Sequence, residues 1–183
     1  MSVDMDKATA RKAAFAARKE AFARGQGQAA ELLADLLAAH RGRALAGYMA
    51  MRTEIDPTAA MAAHQGAVGV PVILGPGQAL RFREWSPGCA MVDGEFGARI
   101  PADGAWVEPE VVIVPLVGFD ARGYRLGYGG GFYDRTLAGL RARHPVLAVG
   151  FAFAAQELPE VPIDEFDQRL DVIVTEAGVR RFS

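Results

Sequence analysis

The feature that most constrains this chain is Val111-Val112-Ile113-Val114-Pro115, an apolar run with no polar alternation. Such a strand has no face to offer water, which is the condition of a parallel strand covered on both sides. Residues 44–49, 70–74, 146–151 and 172–175 read as further buried strands, and residues 80–85 alternate as another. Helices fall between them. The first, capped at Ser2 or Asp4, carries Lys7, Arg11, Phe15, Arg18 and Phe22 and stops near Gly25. Lys7, Arg11 and Arg18 share one of its faces. A second, over about residues 29–40, places Leu32, Leu33, Leu36 and Leu37 on an apolar stripe and ends at Gly42. Asp56-Pro57 starts a third, running to about His64, and a fourth runs from Gly131 or Phe132 to about Arg143.

Strands alternating with helices predict an α/β fold of three layers, a largely parallel sheet with helices on both faces. Gly75-Pro76-Gly77 is a turn. Residues 86–109, rich in Gly and Pro, read as loops with one edge hairpin. They are an excursion from a single domain over residues 1–183, a length that suits one α/β unit. Just over half the residues are hydrophobic, enough for a sizeable core.

After the buried strand comes a glycine-rich segment, residues 123–135, in which Gly127, Gly129, Gly130 and Gly131 crowd together ahead of a helix. Open α/β sheets take ligands there, beyond the carboxyl ends of the strands. Glycines let backbone N–H groups approach a phosphate without a Cβ between them. The helix N-terminus adds partial positive charge, and Arg125 and Arg135 add full charges. The segment lacks the Lys-Ser/Thr ending of a Walker A loop and the spacing of a dinucleotide fingerprint. The residues alone therefore indicate an anion cradle and do not name the anion; the plainer alternative is a turn that only permits tight strand–helix packing. Asp134, in the first turn of the following helix, is either a dipole-stabilising residue or a magnesium ligand beside phosphates. Asp171 opens the last apolar strand and by itself reads first as a strand-edge carboxylate.

The net charge of −2 gives no bulk attraction to nucleic acid or anionic membranes. The single cysteine, Cys89, cannot form an internal disulfide, and no Cys/His group has zinc spacing. His40, His64 and His144 fall in no motif. Residues 1–20 lack the apolar stretch of a signal peptide, and no segment approaches membrane-spanning length. The chain is expected to be cytoplasmic and monomeric, without nucleic-acid or membrane partners.

The run from Pro115 to Arg135 resembles the signature of the 5-formyltetrahydrofolate cyclo-ligase (methenyltetrahydrofolate synthetase) family. Other segments are similar to that family's: Lys7-x-x-x-Arg11, Tyr48 followed by Glu54, Gly150-Phe151-Ala152-Phe153, Gln156-Glu157-Leu158-Pro159, and residues 167–176. Two departures stand out. Many members have Glu before the proline that is Pro101 here, where this chain has Ile100. Some carry lysine in the glycine run, where this chain has Gly130, which leaves backbone N–H groups and arginines to hold phosphate.

The resemblance implies a NagB/RpiA/CoA-transferase-like fold and an enzyme that couples ATP to cyclisation of 5-formyltetrahydrofolate, giving 5,10-methenyltetrahydrofolate, ADP and phosphate. It implies that Lys7, Arg11, Arg125, Gly127, Tyr128, Gly129, Gly130, Gly131 and Tyr133 bind ATP. Arg125 and Asp134 would be catalytic, and Asp134 with Asp171 would hold Mg2+. Tyr48, Met49, Glu54 and Tyr128 would bind folate, Glu54 accepting hydrogen bonds from the pterin ring. Which tyrosines meet adenine and which meet folate stays open. The chemistry needs positioning and charge stabilisation more than a protein nucleophile, so the lack of a Ser/His/Asp or Cys/His arrangement does not oppose it. The rival readings are a non-catalytic relative that binds a nucleotide or RNA, and a different small-molecule kinase or ligase on the same scaffold.

Overall fold

The computed structural model describes residues 2–183, and their side chains other than those of Asp4 and Met5. The chain opens with helices α1 (Val3–Arg24) and α2 (Ala29–Ala38). Ser2 stands at the expected start of α1, while the alternative cap, Asp4, lies outside the described side chains. Strand β1 (Leu45–Ala46), helix α3 (Thr58–Ala63) and strands β2 (Val68–Val72) and β3 (Arg81–Glu84) follow. Next come β4 (Met91–Asp93), β5 (Arg99–Pro101), β6 (Trp106–Val107), β7 (Val111–Val114), β8 (Gly118–Phe119) and β9 (Arg125–Leu126). Helix α4 (Phe132–Arg143) leads to β10 (Leu147–Phe151), β11 (Val172–Thr175) and β12 (Gly178–Arg181).

Eight strands form one sheet in the order β12-β11-β10-β7-β1-β2-β3-β6. The five from β11 to β2 are mutually parallel, and β12, β3 and β6 extend the edges by antiparallel pairing. β7 sits in the middle, and all four of its residues are fully buried. Val111 and Ile113 join the core under α2 and α3, with Leu33, Leu37 and Met61. Val112 and Val114 join the opposite core under α4, with Leu137 and Leu140. The unbroken apolar run thus feeds two cores, each buried Val or Ile side chain contributing about 1.5–3 kcal/mol. Truncating Ile113 to alanine would cost about 2–5 kcal/mol.

The connections set where a ligand can go. β1 leads through α3 to β2 on one side, and β7 leads through α4 to β10 on the other. Loops leaving the carboxyl ends of β1 and β7 therefore diverge, opening the crevice expected at a topological switch point. Helix α1 packs beside that crevice on β8, β9 and the turn 154–156.

Three features differ from the expectation. β1 is only Leu45–Ala46, because the chain at Gly47 passes so close to Met61 that a Cβ would lie 2.5 Å from its sulfur. Within residues 86–109 the expected hairpin is β4–β5, but β6 also adds an edge to the main sheet. The β8–β9 hairpin and β12 were not anticipated, since strands of two to four residues carry too little pattern. Among the described residues no helix is long and apolar enough to cross a membrane.

Candidate active site

A cavity of ≈ 1070 Å³ occupies the switch-point crevice. Single small ligands usually fill about 300–1,000 Å³, so this cavity lies just beyond the top of that range. One wall is the loop after β1, with Tyr48, Met49, Arg52 and Glu54; the facing wall is residues 125–135; α1 contributes Lys7, Arg11 and Arg18.

The glycine-rich segment is more divided than its sequence suggests. Gly123 does not line the cavity. It is the left-handed corner of the β8–β9 hairpin, φ 88°, packed on Phe182. Buried Asp120 builds that corner by accepting from the N–H groups of Arg122 and Val161, at 2.9 Å each. The Gln156 side chain supports the approach, donating to the carbonyls of Leu116 and Val117. The cavity wall begins at Arg125 and includes Gly127, Gly129, Gly130 and Gly131. Gly129 and Gly131 have φ of 100° and 71°, a backbone that favours glycine. Gly131 precedes α4, so the N–H groups of the first helical turn, which have no intrahelical partner, lie at the wall.

Cations surround this cradle. Arg11 Nε donates to the Gly127 carbonyl at 2.8 Å, and its guanidinium lies over Gly129. Arg135 Nη2 donates to the Gly130 carbonyl at 2.8 Å. Arg125, 6% exposed, pairs with Asp134 at 2.7 Å. Lys7 is held by Asp167 at 2.8 Å and Asp164 at 3.1 Å. Burial pulls the Lys7 ammonium down, but its bonds and charges with those two carboxylates outweigh this and leave its pKa raised. Among the described buried polar atoms without a hydrogen bond, Arg125 Nε, Tyr133 Oη and Arg135 Nε all belong to residues of this wall. His40 Nδ1, His64 Nδ1 and Arg83 Nε are likewise unpaired and lie outside the cavity lining.

The two carboxylates expected to share a metal lie apart. Asp134 faces the cavity, its Oδ1 accepting from Arg125 and from the Gln168 N–H at 2.9 Å. Asp171 does not line the cavity. Its Oδ2 accepts from Ala148 N at 2.7 Å and Arg141 Nη2 at 3.1 Å, tying the head of β11 to β10 and α4. Among the carboxylates that line the cavity with Asp134 is Asp167, beside Gln168, whose N–H bonds Asp134; Asp167 itself accepts from Lys7. Residues 167–176 had drawn attention, but periodicity could not separate Asp167 from Asp171. No cluster of three or more His, Cys, Asp or Glu suited to a metal occurs among the described residues. Mg2+ does not require one, since it is commonly held by one or two carboxylates, phosphates and water.

The other half of the cavity centres on Glu54, which is 6% exposed. Its Oε1 accepts from the Met51 N–H at 2.8 Å and its Oε2 from the Tyr128 hydroxyl at 2.6 Å. Burial raises the Glu54 pKa, and the bonds from Tyr128 and Met51 with the charges of Arg18 and Arg52 offset this only in part. Tyr48 is buried at the floor, its hydroxyl donating to the Ile55 carbonyl at 2.6 Å, and Met49 lies beside it. Tyr128 and Tyr133 line the cavity, whereas Tyr124 lies away from it under Arg122 and Arg169. The two non-glycine residues with left-handed backbone among those described, Arg52 (φ 54°) and Phe96 (φ 56°), both border the cavity. Arg18, which sequence reasoning left on a charged helix face, is buried and bonded to Tyr128. Its only sequence signal was the face shared with Lys7 and Arg11.

The profile of the 5-formyltetrahydrofolate cyclo-ligase family matches residues 4–176. A 5-formyltetrahydrofolate cyclo-ligase of Escherichia coli (strain K12) is 44% identical over 70 residues, 38% of each chain. One from Mycolicibacterium smegmatis is 34% identical over 119 residues, 62% of this chain and 56% of the relative. These matches thus span between about two-fifths and three-fifths of the relatives' length. The solution structure of the Aquifex aeolicus 5,10-methenyltetrahydrofolate synthetase superposes with a TM-score of 0.75 at 30% identity, over 96% of this chain and 92% of that one. The Mycoplasma pneumoniae 5,10-methenyltetrahydrofolate synthetase shares the fold, with a TM-score of 0.69 at 23% identity over 93% of this chain and 99% of that one. With a profile match over nearly its whole length and this fold, the chain belongs to the 5-formyltetrahydrofolate cyclo-ligase family.

Proposed function

We propose that the protein is an ATP- and Mg2+-dependent enzyme that cyclises 5-formyltetrahydrofolate to 5,10-methenyltetrahydrofolate, releasing ADP and phosphate. The observation that carries the reading is a single cavity in which a glycine cradle ringed by arginines faces a buried carboxylate. The same proposal makes it a cytoplasmic, monomeric enzyme.

The formyl oxygen is a poor leaving group until it is phosphorylated. In this reading it takes the γ-phosphoryl group of ATP, N10 attacks the formyl carbon, and phosphate departs. The protein contributes binding, orientation and charge. Backbone N–H groups of residues 127–134 and the side chains of Arg11, Arg125 and Arg135 bind the phosphates, with Lys7 at the rim. Arg125 is oriented by Asp134 and leaves Nε free to donate. Asp134 and Asp167 are the carboxylates that would hold Mg2+, a donor set that suits a hard cation completed by phosphate and water. Bound Mg2+ would offset the charge on the transferring phosphoryl group. Glu54 accepts from the N–H edge of the pterin; a carboxylate offers about four lone-pair sites, so its two present bonds leave capacity. Tyr48 and Met49 supply the apolar floor.

The test is to mix protein, Mg2+, ATP and 5-formyltetrahydrofolate and follow the near-ultraviolet absorbance of the methenyl product. An ATP-dependent rise is expected, and its absence with well-folded protein rejects the reading.

A further inference from the structure

Arg18 is 2% exposed, yet among the described residues no carboxylate pairs with it directly. Charged side chains are rarely buried so completely unless paired, because the desolvation is costly. The hydrogen bonds explain the placement. Nε donates to Thr53 Oγ1 at 3.0 Å, and Nη1 donates to the Tyr128 hydroxyl oxygen at 2.5 Å. The guanidinium also lies over the rings of Phe15 and Tyr128, at 4.9 and 5.7 Å from their centres. Thr53 precedes Glu54 in the loop after β1, and Tyr128 stands in the segment after β7. One side chain thus grips both loops that diverge from the switch point.

A phenol has one proton to donate. Arg18 donates to the Tyr128 oxygen from behind, so that proton is directed to Glu54, 2.6 Å away. We propose that Arg18 is a positioning residue that commits the Tyr128 hydroxyl to Glu54 and so fixes the folate-binding carboxylate in place. The names of the two ligands rest on the function proposed above; the coupling belongs to the free protein. Glu54 is faced by Arg18 from α1, by Tyr128 and Tyr133 from the opposite wall, and by Tyr48 and Arg52 from its own loop. Arg18 is one of two cations whose charges partly offset the burial that raises the Glu54 pKa.

The experiment uses Arg18→Met, Tyr128→Phe, Glu54→Gln and the Arg18→Met/Glu54→Gln pair in the full chain. The first readout needs no ligand: a carboxyl 13C titration of Glu54, assigned by its loss in Glu54→Gln. Losing the Arg18 charge should raise the Glu54 midpoint by about 0.5–1 unit. The second is steady-state kinetics. Arg18→Met should raise the folate KM about tenfold, or about 1.4 kcal/mol, and leave the ATP KM within about twofold. In the Glu54→Gln background it should add almost nothing, because residues acting through one bond are not additive. Should Arg18→Met fail to fold, Tyr128→Phe decides, since it removes only a hydroxyl from a half-exposed ring; it should raise the folate KM in the same way. An unmoved Glu54 midpoint, or additive effects on the two KM values, overturns the proposal. If the wild-type protein shows no turnover, the proposed function fails while the titration still decides the coupling.

Discussion

Replacing Asp171 by alanine should weaken the fold and leave catalysis alone. The Asp171 carboxylate accepts from Ala148 N at 2.7 Å and from Arg141 Nη2 at 3.1 Å. Hydrogen bonds to a charged group contribute about 1.5–3 kcal/mol when sheltered, and exposed ion pairs about 0.2–1 kcal/mol. The Asp171 side chain is 42% exposed and that of Arg141 26%, so solvent screens both bonds. About 1–2 kcal/mol remains. For a chain of this size 1 kcal/mol moves Tm by about 2–4 °C, so a fall of roughly 2–8 °C is expected. The assay is thermal denaturation followed by circular dichroism, paired with a magnesium titration of turnover well below Tm. The half-saturating Mg2+ concentration should match the wild type, whereas Asp167→Asn should raise it. An unchanged Tm with a tenfold loss of turnover would refute this reasoning and return Asp171 to the cavity.

Three further predictions test the two halves of the site. Asp134→Asn should lower turnover by about a hundredfold or more at temperatures where the protein stays folded; unchanged turnover would remove Asp134 from the chemistry. Because the folded Glu54 pKa is raised, the stability its protonated form lends is present below the unfolded pKa and lost as pH rises through the folded one. Folate affinity should run the other way: the folate KM rises as pH falls through the folded value, and Glu54→Gln flattens that limb without moving the ATP KM. A limb that survives in Glu54→Gln assigns it to another group. Gly129→Ala forces a side chain into a left-handed backbone at a cost of about 1–2 kcal/mol and sets a methyl 3.5 Å from Arg11. It should raise the ATP KM and spare the folate KM, and a reversed pattern would exchange the two walls.

The parts legible in the sequence were those governed by local pattern. β7 announced itself because a strand buried on both faces shows unbroken apolar residues, and α4 because glycines stop just where its period begins. Lys7, Arg11 and Arg18 share a helix face, and all three reach the cavity. What sequence could not give depends on tertiary placement. Asp167 and Asp171 are four positions apart, but only the fold turns one towards Lys7 at the cavity and the other towards Arg141. Gly123 and Gly129 look alike in a glycine-rich run; one is a hairpin corner packed on Phe182 and the other lies beneath Arg11. Arg18 reads as a solvated charge until Tyr128, 110 positions away, is seen to accept from it.

The free protein describes its ligand best through what it leaves unpaired. Arg125 Nε, Tyr133 Oη and Arg135 Nε are shut off from bulk water and make no hydrogen bond. Buried donors of this kind are suited to meet an acceptor brought by a ligand. Two of these atoms belong to cations, all three to residues beside the glycine cradle, and a fourth donor set, the first-turn N–H groups of α4, converges on the same wall. A neutral or cationic ligand would leave that capacity unused. An extended anion with several oxygens would use it. Glu54 is of opposite character: a buried acceptor with room for donors. The two walls differ in hydrogen-bonding sense, which supports the proposed assignment of phosphates to one and the pterin to the other, with the Arg18–Tyr128–Glu54 chain between them.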